Sequence, residues 1–106
     1  MTKRIKKYKK DICLLSKCSP SKRKNILNAA DNGLIDAYTD IAKTLLYGNL
    51  GKLVPESKRK KLRKNRKKLV SLANKKFSIT KRRKLLQQGG SFLGDVWSVV
   101  KSLIGI

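Results

Sequence analysis

The chain contains no histidine, the side chain that most often moves protons or binds metals near neutral pH. The soft ligands that remain are Cys13 and Cys18. Their spacing puts them on different faces of a helix, and two thiols alone do not complete a tetrahedral zinc site. They read as two reduced thiols, with an interchain disulfide as the alternative under oxidising conditions. Carboxylates are scarce too, six in 106 residues, and no glycine-rich phosphate loop accompanies them. No acid–base or nucleophilic constellation can be assembled from this set, so the expectation is a protein that is not an enzyme, with no cofactor and no metal. A desolvated lysine could serve as a nucleophile, but nothing in the sequence suggests a pocket for one.

Aromatic residues and long apolar runs are also few. With six aromatics and a third of its residues charged, the chain can build a core only where leucine and isoleucine concentrate locally. Its length allows one small domain at most. No long apolar run opens the sequence, so no secretory signal is expected and synthesis points to the cytosol or nucleus. The apolar stretch at the other end is shorter than the ~20 residues a spanning helix needs. Strand-like alternation never lasts more than a few residues, and no internal repeat is strong enough to use. The expected fold is all-α, a small loose bundle of helical hairpins with a long basic helix and a C-terminal amphipathic helix.

Positive charge is abundant. Twenty-eight Lys and Arg stand against six acids, a formal net charge of +22, where a small domain needs about 2–8 for solubility. From Lys58 to Lys84 there are fifteen basic side chains and no acidic one. Self-repulsion on this scale opposes compaction and calls for a polyanionic partner. Nucleic acid is the leading expectation and anionic membrane the next; an acidic protein is less economical, and charge alone does not say which polyanion. The candidate nucleic-acid-binding residues are Lys58, Arg59, Lys60, Lys61, Arg63, Lys64, Arg66, Lys67 and Lys68, followed by Lys81, Arg82, Arg83 and Lys84.

On a helix these side chains surround a seam of Leu62 and Leu69 on nearly every other side. Pairs such as Lys60–Lys64 and Lys64–Lys68 are like-charged at i,i+4 and destabilise the free helix. Phosphates would remove that penalty, so residues 57–76 are expected to gain helicity on duplex DNA. No helix-turn-helix, zinc finger or basic zipper is present, and Phe77 is the one aromatic near the basic run. The pattern favours backbone neutralisation by counterion release over base readout or single-strand stacking. The plainer alternative is a nuclear-localisation signal or a solvated face, since a second basic cluster lies at Lys3–Lys10.

Three regions follow from charge and periodicity: an N-terminal helical region, 1–54, with its apolar centre at 31–47; a highly basic helical region, 55–88; and a Gly-Gly hinge with an amphipathic tail, 89–106. Ile5, Tyr8, Ile12 and Leu15 share one face of a helix over 3–17. Ser19-Pro20 opens a second helix through Ile26 and Leu27. Asp31 caps a third over Asn32–Tyr47, with Leu34, Tyr38, Ile41 and Leu45 on its apolar stripe and Gly48 as its C′ residue. Pro55-Glu56 starts the basic helix, which carries Leu62, Leu69, Leu72 and Ala73. Ser78 caps a short helix with Ile79, Leu85 and Leu86, ended by Gly89-Gly90.

The tail places Phe92, Leu93, Val96, Trp97, Val99, Val100, Leu103 and Ile104 on one helical face, with Ser91 as N-cap. Such a helix suits a membrane interface or a partner such as a capsid shell protein. It equally suits a terminal helix docked on the core of a chain otherwise poor in apolar surface. Gly89-Gly90 likewise has two readings: a helix stop, or an extended segment presented to a Gly-Gly-reading protease that would cut before Ser91.

Ser16-Lys17-Cys18-Ser19-Pro20 with Lys22-Arg23, then Leu45-Leu46-Tyr47-Gly48-Asn49, then the Lys/Arg-rich helix, then Lys81-Arg82-Arg83-Lys84-Leu85-Leu86-Gln87-Gln88-Gly89-Gly90-Ser91-Phe92-Leu93 resemble small basic proteins of Polinton (Maverick) elements and adintoviruses. The resemblance covers most of the chain from about Leu15 onward. It implies an auxiliary protein of a double-stranded DNA virus or virus-like element, located in the nucleus or virion. Its role would be similar to that of the adenovirus core peptide and membrane-lytic protein. It also implies an adenovirus-type cysteine protease that cuts near Gly-Gly. That protease favours a large aliphatic residue two before the glycine pair, where this chain has Gln87. The functional expectation is a sequence-nonspecific DNA-binding and condensing protein whose tail meets a membrane or shell. The alternatives are a precursor of a membrane-active peptide and an RNA- or ribosome-associated basic protein.

Overall fold

Short polar side chains start three of the helices. Ser19 Oγ accepts from the Lys22 N–H, Asp31 Oδ1 from Leu34 and Ser78 Oγ from Lys81, so each cap satisfies an amide that the first turn leaves without a partner. The computed structural model describes residues 3–48, 54–74, 76–88 and 92–104, apart from the side chains of residues 103 and 104. The proposed roles of Gly89, Gly90, Ser91 and the side chains of Leu103 and Ile104, and most of the loop after Gly48, lie outside the described residues.

Among the described residues there are eight helices and no strand: α1 Lys3–Lys7, α2 Lys9–Lys17, α3 Pro20–Ala29, α4 Asn32–Tyr47, α5 Glu56–Lys64, α6 Arg66–Ala73, α7 Ile79–Gln87 and α8 Phe92–Ile104. The all-α expectation holds, and the starts of α3, α4 and α7 fall at the caps read from the sequence. Pro55 stands one place earlier than expected, as the N-cap of α5 rather than inside its first turn. Gly48 ends α4 at the C-cap with φ −73°, not in the left-handed conformation expected of a C′ glycine. A Cβ there would collide with the Thr44 carbonyl oxygen, so close approach rather than backbone handedness favours glycine.

Two expected long helices are bent. The helix over 3–17 breaks at Tyr8 (φ −98°, ψ 12°) and the basic helix breaks at Asn65 (φ −102°, ψ 12°). Backbone hydrogen bonds still cross both bends, Ile12 N to Tyr8 O at 2.9 Å and Leu69 N to Asn65 O at 3.1 Å. At the second bend the Asn65 side chain donates to Lys61 O at 2.8 Å and to Asp95 Oδ2 at 3.0 Å. A side chain that bonds both the preceding turn and a neighbouring helix is a sufficient cause for the kink.

Each bent helix serves two neighbours. α1 packs on α4 and α2 on α8, while α6 packs on α4 and α5 on α8. The short helices α3 and α7 pack on each other. Exchanging the first four helices for the last four reproduces these pairings, a bent helix, a serine-capped short helix, then an amphipathic helix, although α7 packs on α4 and α6 more closely than α3 does on their counterparts α8 and α2. The sequence carries the same correspondence once the bends and caps align it. Ile5, Ile12 and Leu15 answer to Leu62, Leu69 and Leu72, and Tyr8 to Asn65. After the caps, Ser19, Lys22, Arg23, Leu27, Asp36 and Tyr38 answer to Ser78, Lys81, Arg82, Leu86, Asp95 and Trp97. Asn28 and Gln87 are equivalent positions, 59 residues apart, and they hydrogen-bond to each other, as a residue at a two-fold axis does with its mate. The expectation of no usable repeat is therefore corrected. Few identities survive between the halves, and the repeat shows only in the spacing of core positions, caps and bends.

All three sequence regions contribute to one apolar cluster. It includes Ile5, Ile12, Leu15 and Leu27 from the first helices, Ile35, Tyr38 and Ile41 from α4, Leu69, Leu72 and Leu86 from the basic region, and Phe92, Leu93, Val96, Val99 and Val100 from α8. The Cα radius of gyration is 12.6 Å, against about 13 Å for a globular domain of this size. The bundle is compact rather than loose.

Candidate nucleic-acid interface

The thirteen basic residues singled out in the sequence divide into two groups. Lys58, Arg59, Arg82 and Arg83 are committed to the fold. Lys58 Nζ donates to Ser98 O at 2.9 Å and Ser102 Oγ at 2.5 Å, tying α5 to the later turns of α8. Arg59 Nε donates to Val54 O at 3.1 Å. Arg82 Nη1 donates to Thr39 Oγ1 at 2.6 Å and pairs with Asp36 at 3.4 Å, with its side chain only 11% exposed. Arg83 Nη1 donates to Leu27 O and Ala30 O, and its Nη2 to Asn32 Oδ1. It thus supplies donors to carbonyls at the C-terminal end of α3, where the helix dipole is negative. These four of the thirteen candidates have acceptors within the protein. Arg82 and Arg83 fasten α7 to α3 and α4 from the other half of the chain, Lys58 fastens α5 to α8, and Arg59 ties α5 to the residue that precedes it by two.

Lys60, Arg63, Lys64, Arg66, Lys67 and Lys68 of α5 and α6 are exposed, as are Lys81 and Lys84 of α7; Lys61 is partly covered. Arg63 forms an exposed ion pair with Glu56 at 2.8 Å, which contributes little to stability in water and leaves the guanidinium reachable. Lys68 lies over the Phe92 ring and Lys81 over the Phe77 ring, at 5.6 and 5.5 Å from the centroids. The N-terminal cluster adds Lys3, Lys6, Lys7, Lys9 and Lys10, all exposed.

Five of the six carboxylates have partners within the protein, which leaves the surface charge strongly one-sided. Asp40 receives Arg4 at 3.0 Å, Asp36 receives Arg82, Glu56 receives Arg63 and Asp95 receives Asn65. Asp31 accepts from the Leu34 amide and the Tyr8 hydroxyl, and these bonds hold its carboxyl below the usual carboxylate range. The Arg63 hydrogen bond does the same for Glu56. Lost solvation, and then the bond to Asp31, push the Tyr8 phenol up.

The residues expected to face a membrane or partner are placed inside. Phe92, Leu93, Val96 and Val100 are buried, and Trp97 is 8% exposed, because α8 docks between α2 and α5. A bilayer can reach these side chains only after α8 leaves the bundle. Of the two readings of the tail, the terminal helix docked on the core describes this fold. Beside Trp97 a shallow groove of about 500 Å³ is lined by Lys9, Lys10, Cys13, Leu14 and Lys17.

Sequence reasoning missed Arg23 and Asn65, both buried. Arg23 Nε donates to Leu15 O at 3.4 Å, near the C-terminal end of α2. The available signal was position: Arg23 stands four residues before Leu27, on the stripe that faces the core. No group of His, Cys, Asp or Glu able to hold a metal occurs among the described residues, and none of the described helices is long and apolar enough to cross a membrane. The chain matches no protein-family model, no curated protein and no solved structure.

Proposed function

We propose that this is a non-enzymatic protein that binds DNA without sequence preference and condenses it, acting in the nucleus or virion of a virus-like element. One observation carries the reading. A fully organised apolar core is surrounded by exposed lysine and arginine on every helix except α4, while five of the six carboxylates are engaged by partners within the protein and Asp11 is exposed. Such a surface has a folded scaffold, and among the described residues no helix is set apart for a groove and no aromatic platform is exposed among the cations. Binding would draw its free energy from counterion release, with log K falling by about 0.9 per phosphate contact for each decade of salt. Within this reading α8 is a core element.

The test is retention of the purified chain on duplex DNA, duplex RNA and anionic vesicles across a salt gradient. Tight, steeply salt-dependent and sequence-independent retention on DNA is expected. Elution from DNA at low salt, with firm retention on vesicles and dye leakage from them, would replace this reading with the membrane-active one. Preference for RNA would replace it with the RNA-associated one.

A further inference from the structure

We infer that one molecule of this protein holds two DNA duplexes at once, through two equivalent basic ridges on opposite sides of the fold: the bent helix α1–α2 and the bent helix α5–α6. The inference rests on the proposed function and adds to it the mode of condensation, which is bridging rather than coating.

The packing scheme provides the geometry. α4 and α8 each touch both bent helices, and among the described residues the bent helices make no substantial contact with each other. Four rods arranged so that each member of one pair touches both members of the other form a ring, with the bent helices at opposite corners. Their outer faces therefore point away from each other.

The repeat provides the chemistry. Lys3, Lys7 and Lys10 on the first ridge correspond to Lys60, Lys64 and Lys67 on the second, and Lys6 and Lys9 to Arg63 and Arg66. At 3.6 residues per turn, each lysine triplet falls on one strip of its helix, opposite the buried Ile5 and Ile12 in one case and the seam of Leu62 and Leu69 in the other. All six lysines are exposed. Both ridges keep the same charged strip although few other identities survive between the halves.

Spacing favours two duplexes over one. The smallest extent of the molecule is 26 Å, well beyond the screening length of about 8 Å at physiological ionic strength. A duplex on one ridge therefore barely opposes a second duplex on the other. A single duplex would have to fold back around a body this narrow to reach both ridges, and a polymer with a persistence length of about 150 base pairs resists that strongly.

The experiment uses the intact chain, with a biotinylated duplex on beads and a fluorescent duplex of unrelated sequence in solution, and duplex in excess over protein. The wild type should draw the fluorescent duplex to the beads. A first variant carries Lys3→Gln, Lys7→Gln and Lys10→Gln; a second carries Lys60→Gln, Lys64→Gln and Lys67→Gln. Circular dichroism checks that each is folded. Each should remain on the beads through its other ridge, with a shallower salt slope, and should capture at least tenfold less fluorescent duplex. If a variant bridges as well as the wild type, as a dimer with two intact ridges would, the inference is overturned. It is equally overturned if the wild type stays on the beads but recruits no second duplex. Failure of the wild type to bind the beads would instead remove the proposed function, and bridging with it.

Discussion

Tyr38 shows how the interior was assembled at the cost of one polar group. Its ring is buried at the centre of α4, and its hydroxyl has no hydrogen-bond partner among the described residues. Burial pushes the phenol far above its ordinary value. A raised folded-state pKa contributes stability below the unfolded value, about 10, and loses it as pH rises beyond that, because only the unfolded chain can ionise. Absorbance titration should therefore show Tyr38 ionising only together with loss of helical dichroism, above about pH 10. Tyr38→Phe should reduce the alkaline sensitivity and raise stability by about 1 kcal/mol, since an unsatisfied buried hydroxyl is lost and the ring is kept.

The same scale separates cations that build from cations that bind. Arg82→Ala removes donors to Thr39 and Asp36 and should destabilise the fold by about 1.5–3 kcal/mol. Arg82→Lys should rescue only part of this, because an ammonium cannot reproduce the planar fork. Lys64→Gln should leave the unfolding midpoint within experimental error and reduce the salt slope of DNA binding by about 0.9. Chemical denaturation and a salt titration on both variants would distinguish the two roles. The sequence shows fifteen cations between Lys58 and Lys84 and cannot distinguish them, because the difference lies in which acceptors the fold brings within reach.

At the scale of elements, α8 is the least autonomous helix and the most consequential. Its five or more buried apolar side chains, Phe92, Leu93, Val96, Val99 and Val100 among them, each contribute about 1.5–3 kcal/mol on transfer from water. That total exceeds the 5–15 kcal/mol net stability of most domains at its lower end. A chain ending at Gln88 should lose cooperative thermal unfolding and bind a hydrophobic dye, and so should the product of any cleavage after Gly90; calorimetry with dye fluorescence would show it. The amphipathic pattern of α8 was legible in the sequence, as were the caps Ser19, Asp31 and Ser78. Its destination was not, because a membrane and a protein core ask for the same apolar face. The bends at Tyr8 and Asn65 were also hidden, since hydrogen-bond periodicity continues through them and only the positions of α4 and α8 require the two arms to diverge.

For the whole molecule, charge opposes the fold that the core holds together. A net charge of +22 on a body with a largest extent of 36 Å is self-repelling, and the Debye length falls from about 30 Å at 0.01 M to about 8 Å at 0.15 M salt. The thermal midpoint should therefore rise across that range, and rise further with a polyanion such as heparin, which binds the folded surface and adds linkage stabilisation. Scanning calorimetry at the two ionic strengths, with and without heparin, measures both effects. A midpoint that falls with salt would mean that the internal pairs, Arg82–Asp36 and Arg4–Asp40, outweigh the surface repulsion.

The sequence by itself determined that the protein is helical and that it is polycationic. Helix period, capping chemistry and residue type are local properties and can be read one segment at a time. Only the tertiary structure decided which arginines are clamps, where the tail goes and that the two halves repeat one plan. Each of these depends on what lies across the core from a given side chain, and the packing of α2 on α8 or of α6 on α4 is specified by partners some eighty or thirty residues away along the chain.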